Sequence, residues 1–234
     1  TGVPAHASMQ PYMGRNALDA ATLAYQACGL LRQQMPPSDR LHAVIADGGA
    51  RASIIPESAT LQIYVRSLYT ETLMDLSQRV EDILQGAALM TGTAVDAQWD
   101  EHPMSLPVRN NETLARRWGA TQASRGRDVL PAGTLPDSQA ASTDFGNVSH
   151  LVPGIHPLVK IAPEGTAMHT TDFAAAAISD HAFAGAFDAA VGLAQTIADI
   201  LNDPQLLADA KKEFEAAGGA ISVEELLAGA AEQP

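Results

Sequence analysis

Residues Ala59 to Ser67 alternate strictly, with Ala59, Leu61, Ile63 and Val65 on one face and Thr60, Gln62, Tyr64 and Arg66 on the other. A period of two marks a strand that lays one face on a core. Helical segments flank it. From Asn16 to Gln34, Ala17, Leu18, Ala21, Leu23, Ala24, Ala27, Leu30 and Leu31 make a broad apolar face, with Asn16 as cap and Pro36-Pro37 as terminator. From Thr70 to Met90, with Thr70 as cap, Leu73, Leu76, Val80, Ile83, Leu84 and Ala87 recur at helical spacing. Arg40 to Ala46 reads as a strand closed by Asp47-Gly48-Gly49, and Ala94 to Trp99 as another. With residues 1–7 as a first strand, partly lying before Thr1, the order is β-α-β-β-α-β, a ferredoxin-like layer ending near His102-Pro103.

The remainder has a different pattern. Asn110 to Gly119 reads as a helix and Arg125 to Ala140, rich in Gly, Pro, Asp and Ser, as a loop. His156 to Ala162 reads as a buried strand. Asp172 to Leu201 is a long Ala-rich helical region broken near Ser179-Asp180, and Asp203-Pro204 interrupts it before acidic helical stretches. The chain is thus α/β with an α+β first layer, divided into residues 1–103 and 104–234.

Composition sets limits on partners. The 234 residues carry 27 acidic and 14 basic side chains, a net charge of −13, which repels nucleic acid and anionic membranes. No apolar stretch reads as the roughly 20 residues that span a bilayer. The single Cys28 excludes an intrachain disulfide and fits a reducing cytoplasm. There is no Gly-rich phosphate loop, no Cys-x-x-Cys and no Gly-x-Ser-x-Gly elbow.

Four side chains stand out for chemistry, each with a plainer reading beside it. His169 follows a Gly-containing loop and precedes a helix start; it suits zinc, or is a helix-capping or surface histidine. His6, in Pro4-Ala5-His6-Ala7-Ser8, can donate to a developing oxyanion, or is an exposed turn histidine. Asp144 orients a neighbouring group or caps a helix. Arg66 clamps a carboxylate or is a solvated strand end. His42, His102, His150, His156 and His181 have weaker claims.

Five blocks occur in a telling order: Pro4-Ala5-His6-Ala7 with Gly14-Arg15-Asn16-Ala17; Gly48-Gly49 with Ile54-Ile55-Pro56 and Val65-Arg66; Ser142 to Ser149; Pro153-Gly154-Ile155-His156-Pro157; and His169-Thr170-Thr171-Asp172-Phe173. Together they resemble the M20 family of zinc-dependent peptidases and amidohydrolases, over about residues 1–200. The branch most similar is that of aminobenzoyl-glutamate hydrolase subunits and β-alanyl-lysine-type dipeptidases. The resemblance implies a lid and dimerisation domain followed by the C-terminal part of a catalytic domain, whose N-terminal half, with most metal ligands, is not in this sequence. It implies hydrolysis of an amide bond in a small N-acyl amino acid or dipeptide by metal-activated water, with one or two Zn²⁺ or another divalent metal.

The resemblance also implies roles. His169 would be a metal ligand. His6 would polarise the scissile carbonyl, in the partner subunit's active site in related dimers. Arg66 would bind the substrate carboxylate, and Asp144 with Thr143 would line the pocket floor. Ser53 stands where the family has Asn before Ile-Ile-Pro, at a substrate-contact position. A homodimer through the lid is expected, and the 234 residues alone would be inactive and expose apolar surface. The competing reading is a shortened, non-catalytic dimerisation or binding protein of the same descent.

Overall fold

Two antiparallel strands, Arg40–Asp47 (β1) and Thr60–Arg66 (β2), form the sheet of a computed structural model that describes residues 1–99, 104–131, 133–134 and 143–225. Arg40 pairs with Arg66, Leu41 with Val65, His42 with Tyr64 and Ala43 with Ile63, and the register slips between Ile45 and Asp47. This register puts the apolar set of both strands on one face, as the alternation requires. The helices Ala17–Leu31 (α1) and Thr70–Thr91 (α2) cover that face. Cys28, Leu31, Leu41, Leu76 and Val80 form its core, with Ile63, Val65 and Leu84 against them. Leu41, Leu76 and Val80 are at most 2% exposed, so each contributes about 1.5–3 kcal/mol of burial. Burial pushes the Cys28 thiol up, with Arg32 only partly opposing it, so Cys28 is a packing residue.

A buried carboxylate closes one end of this layer. Asp39, 4% exposed, accepts hydrogen bonds from the hydroxyls of Ser38 (3.0 Å), Ser67 (2.7 Å) and Thr72 (3.3 Å). It ties the start of β1 to the exit of β2 and the first turn of α2. Asn16 caps α1 by accepting from the Leu18 N–H. Thr70, expected as a cap, lies inside α2, and Tyr69 holds the cap position with no side-chain bond.

The layer is mixed α/β as read, but its ladder is shorter than the ferredoxin-like order implied. Residues 94–99 form no ladder with β2, and residues 1–7 form only isolated bridges, Val3 to Arg15 and His6 to Ile54. Thr1 and Ala94 exchange backbone hydrogen bonds at 2.7 and 2.9 Å. Between β2 and residues 94–99 lies a groove of about 360 Å³, lined by Ala21, Ala24, Leu61, Ile63, Leu84 and Val95. Among the described residues the sheet therefore has two strands and not four.

Thr1–Pro107 makes one compact unit, and a second begins at Val108. The expected boundary at His102-Pro103 lies outside the described residues, as do Ser142 and parts of the expected loop 125–140. The second unit is helical: Glu112–Ser124 (α3), Phe145–Ser149 (α4), Thr171–Ala176 (α5), Asp180–Asn202 (α6) and Pro204–Ala216 (α7). Ser179 caps α6 by accepting from the Ala182 N–H, and Asp203 caps α7 ahead of Pro204, so both breaks fall where the sequence placed them. The expected strand His156–Ala162 has no ladder partner among the described residues and runs as extended chain with Leu158 exposed.

Helix α3 packs against α6 and α7. Asn111 caps α3 through the Leu114 N–H (3.1 Å) and donates to the Ala210 carbonyl (2.9 Å). From α7, the Glu213 carboxylate accepts from the N–H groups of Glu112 and Thr113 and from the Thr113 hydroxyl. Arg125 and Arg127 both bind Asp188 of α6 and hold its carboxyl below the usual range; Arg117 pairs with Asp199. With 23 residues, α6 is long and apolar enough by length and composition to cross a bilayer, which corrects the reading that no such stretch exists. Its aspartates, bound to those three arginines, place it in a helical layer, while Phe183, Phe187, Ile197 and Leu201 remain exposed.

This packing can be tested at two positions. A β-carbon at Gly192 of α6 would fall on the Gln122 amide and 2.6 Å from Trp118 Nε1. Gly192→Ala should therefore destabilise the unit by about 1–3 kcal/mol in chemical denaturation, despite the better helix propensity of Ala. For Glu213, burial alone would raise the carboxyl, but the hydrogen bonds from Thr113 and Glu112 outweigh it and hold it below its usual value. A depressed folded-state value gives stability that is present at neutral pH and is lost as pH falls through the acid range. Glu213→Ala should cost about 1 kcal/mol at pH 7, and the difference from wild type should shrink progressively in melts as pH falls through the acid range.

Candidate functional site

The segment carrying His6 is fixed by backbone bonds. Gly2 N–H donates to the Glu57 carbonyl (2.7 Å), Ile55 N–H to Ala5 (2.9 Å) and Ala7 N–H to Ser53 (3.0 Å), so residues 2–7 run antiparallel to residues 53–57. On the other side Val3 and Arg15 exchange bonds at 2.8 and 2.9 Å, and Ala17 N–H donates to Pro56. The loop carrying Ser53 folds back because Gly49 adopts φ 100°, where a side chain would also meet Pro56 at 2.7 Å. Three sequence blocks thus converge: the His6 stretch, Gly14 to Ala17, and Gly49 to Pro56.

His6 itself is exposed. Its Nδ1 faces the backbone N–H groups of Ser8 (3.3 Å) and Met9 (3.2 Å) and the Ser8 hydroxyl (3.2 Å). Its carbonyl accepts from the Gln10 N–H, closing the turn. Ser53 is exposed beside it on the paired strand.

Arg66 ends β2 on the face opposite the core, in register with Arg40. Its guanidinium lies 4.2 Å from the centre of the Tyr64 ring, two residues earlier on that face. Stacking holds the planar fork in one orientation, a useful property for gripping a carboxylate. The structure brings His6 and Ser53 together on paired segments and leaves Arg66 at the end of the neighbouring sheet.

In the second unit, Thr143 and Asp144 stand at the start of α4. The Thr143 hydroxyl donates to Asp144 (3.0 Å) and accepts from the Phe145 N–H (3.3 Å). Asp144 makes no side-chain cap, so its exposed carboxylate keeps acceptor capacity. His156 stacks at 5.4 Å on Phe145.

The backbone conformation of His169 is the feature the sequence did not foretell. Among the described residues His169 alone of the non-glycines has positive φ, at 62°. Thr170 then caps α5 through the Phe173 N–H (3.2 Å) and donates to Ala167 (2.7 Å). The capping duty therefore belongs to Thr170, and His169 is left exposed on a strained backbone. Such strain costs about 1–3 kcal/mol and collects at functional positions.

No group of three His, Cys, Asp or Glu able to hold a metal ion occurs among the described residues. His169 suits a ligand by its chemistry and exposure, but these residues by themselves do not make a complete metal site.

Residues 1–90 match the peptidase dimerisation domain of the M20 class. The chain is 38% identical to the Xaa-Arg dipeptidase of Mus musculus over 213 residues, which is 91% of this chain and 49% of that protein. It is 35% identical to the human Xaa-Arg dipeptidase, over 91% of this chain and 48% of that protein. It is 26% identical to a p-aminobenzoyl-glutamate hydrolase subunit of Escherichia coli K12, over 92% of this chain and 55% of that protein. The chain thus spans about half the length of these curated relatives. The order of the sequence blocks, the α1–β1–β2–α2 layer and these matches agree: the chain belongs to the M20 family of peptidases and amidohydrolases, with that family's dimerisation domain at residues 1–90.

Proposed function

We propose that the full protein hydrolyses an amide bond in a dipeptide or small N-acyl amino acid, and that this chain supplies the lid and part of the catalytic domain. The relatives' names, a dipeptidase and an aminobenzoyl-glutamate hydrolase, support that substrate class. The observation that carries the reading is His169, an exposed imidazole held at φ 62° directly before a capped helix. A divalent metal, zinc in our reading and one or two ions in number, would polarise the carbonyl and activate water when bound. His169 would be this chain's ligand; the others would come from the rest of the protein.

The chain's own residues take the remaining tasks. His6 donates a hydrogen bond to the carbonyl oxygen as it gains charge. Arg66 binds the substrate's carboxylate, while Ser53, Thr143 and Asp144 contact the substrate. The dimerisation domain supports a homodimer through the lid. The exposed face of α6 supports a cover supplied by another part of the full protein, without which the 234 residues are inactive. Neither nucleic acid nor membrane is a partner in this reading, and the acidic surface and fully buried, unpaired Cys28 suit the cytoplasm.

His169→Gly separates structure from chemistry. Glycine adopts φ 62° without the roughly 1–2 kcal/mol strain of a side-chain-bearing residue, so the full-length variant should melt no lower than wild type. It should nevertheless lose bound divalent metal, by elemental analysis, and amide hydrolysis. Wild-type metal content and turnover in this variant would refute the ligand assignment.

A further inference from the structure

We infer that the Ser8-Met9 turn, through its two backbone amides, fixes the tautomer of His6 with its proton on Nε2. Two of the three groups facing Nδ1 are backbone N–H groups, at 3.3 Å from Ser8 and 3.2 Å from Met9. A backbone N–H only donates, so the nitrogen it meets must offer a lone pair. A neutral imidazole with its lone pair on Nδ1 carries its proton on Nε2. The Ser8 hydroxyl, 3.2 Å from the same atom, rotates freely and so donates as well. Had it been the sole neighbour, either tautomer would have satisfied it; the two amides remove the choice.

The turn is itself anchored. Ala7 N–H donates to Ser53 at 3.0 Å and Gln10 N–H to the His6 carbonyl at 3.1 Å, so the Ser8 and Met9 amides are held in place by the ladder that positions the histidine. Pre-aligned donors of this kind lose little freedom when they act.

The tautomer decides what His6 can do. An Nε2–H is a donor, suited to a carbonyl oxygen that gains negative charge. The same nitrogen cannot ligate a metal while it holds that proton, so His6 and His169 divide the work: one donates a hydrogen bond and the other offers a lone pair. The tautomer follows from the geometry alone, whereas its use in catalysis rests on the proposed amide hydrolysis.

The test is ¹⁵N NMR of the full-length protein labelled at histidine, with the His6 ring signals assigned from the His6→Ala spectrum. We expect a pyridine-type Nδ1 and a pyrrole-type Nε2 at neutral pH. Ser8→Ala keeps both amide donors and removes only the hydroxyl, so it should leave the ring signals unmoved. A wild-type ring protonated on Nδ1 would overturn the inference and leave the hydrolase reading standing. An Nε2–H ring in a protein that cleaves no amide would keep the tautomer and remove the hydrolase reading. An Nδ1–H population appearing in Ser8→Ala would show that the hydroxyl and not the amides sets the tautomer, and would overturn the inference.

Discussion

The antiparallel backbone bonds between residues 2–7 and 53–57 position His6 and Ser53 in the first unit. They are short, from 2.7 to 3.0 Å, and they involve main chain only, so side-chain identity does not enter. What side chains do is permit the approach. Gly2 lies where a β-carbon would strike the Arg15 carbonyl, and Gly49 turns the loop with a φ closed to most residues. From that frame His6 projects with its Nδ1 committed to the turn, which leaves Nε2 for other partners. The α1 and α2 helices pack on the apolar face of β1 and β2 and form the core beside it.

The second unit uses side chains for the same purpose. Glu213 and Asn111 lock α3 to α7, and the arginines on and beside α3 lock it to α6. Arg109 ties the approach to α3 back to the carbonyls of Ser149, Ala217 and Gly219 and lies over the Phe214 ring. Against this rigid set of helices the strained His169 stands out, because its neighbour Thr170 already satisfies the helix end. Neither a cap nor a core contact among the described residues accounts for that backbone conformation.

Much of this was legible in the chain. The alternation from Ala59 to Ser67 marked β2 with the correct face inward, Asn16 marked a helix start as its cap, and the breaks read near Ser179-Asp180 and at Asp203-Pro204 fall at helix boundaries. Regular periodicity and short-range caps are local, so sequence carries them. The strands expected at residues 94–99 and 156–162 failed because a strand requires a partner, and partners are not local. The Asp39 corner was missed for the same reason: its hydroxyl donors come from residues up to 33 positions away. At the site, the blocks around His6 and His169 were recognisable as motifs. Their decisive details were not, since the amide donors on Nδ1 and the φ of His169 leave no mark in composition. A serine two residues after His6 was the one visible hint of a turn folding back on the ring.

Both units are read here as parts of a metal-dependent amide hydrolase, and turnover by the full-length protein decides whether that is so. A panel of dipeptides and N-acyl amino acids is assayed before and after the divalent metal is stripped by a chelator and then restored. We expect cleavage of at least one member of the panel, its loss on chelation and its return with added metal. Cleavage indifferent to chelation, or no cleavage by metal-replete full-length protein, would refute the hydrolase reading.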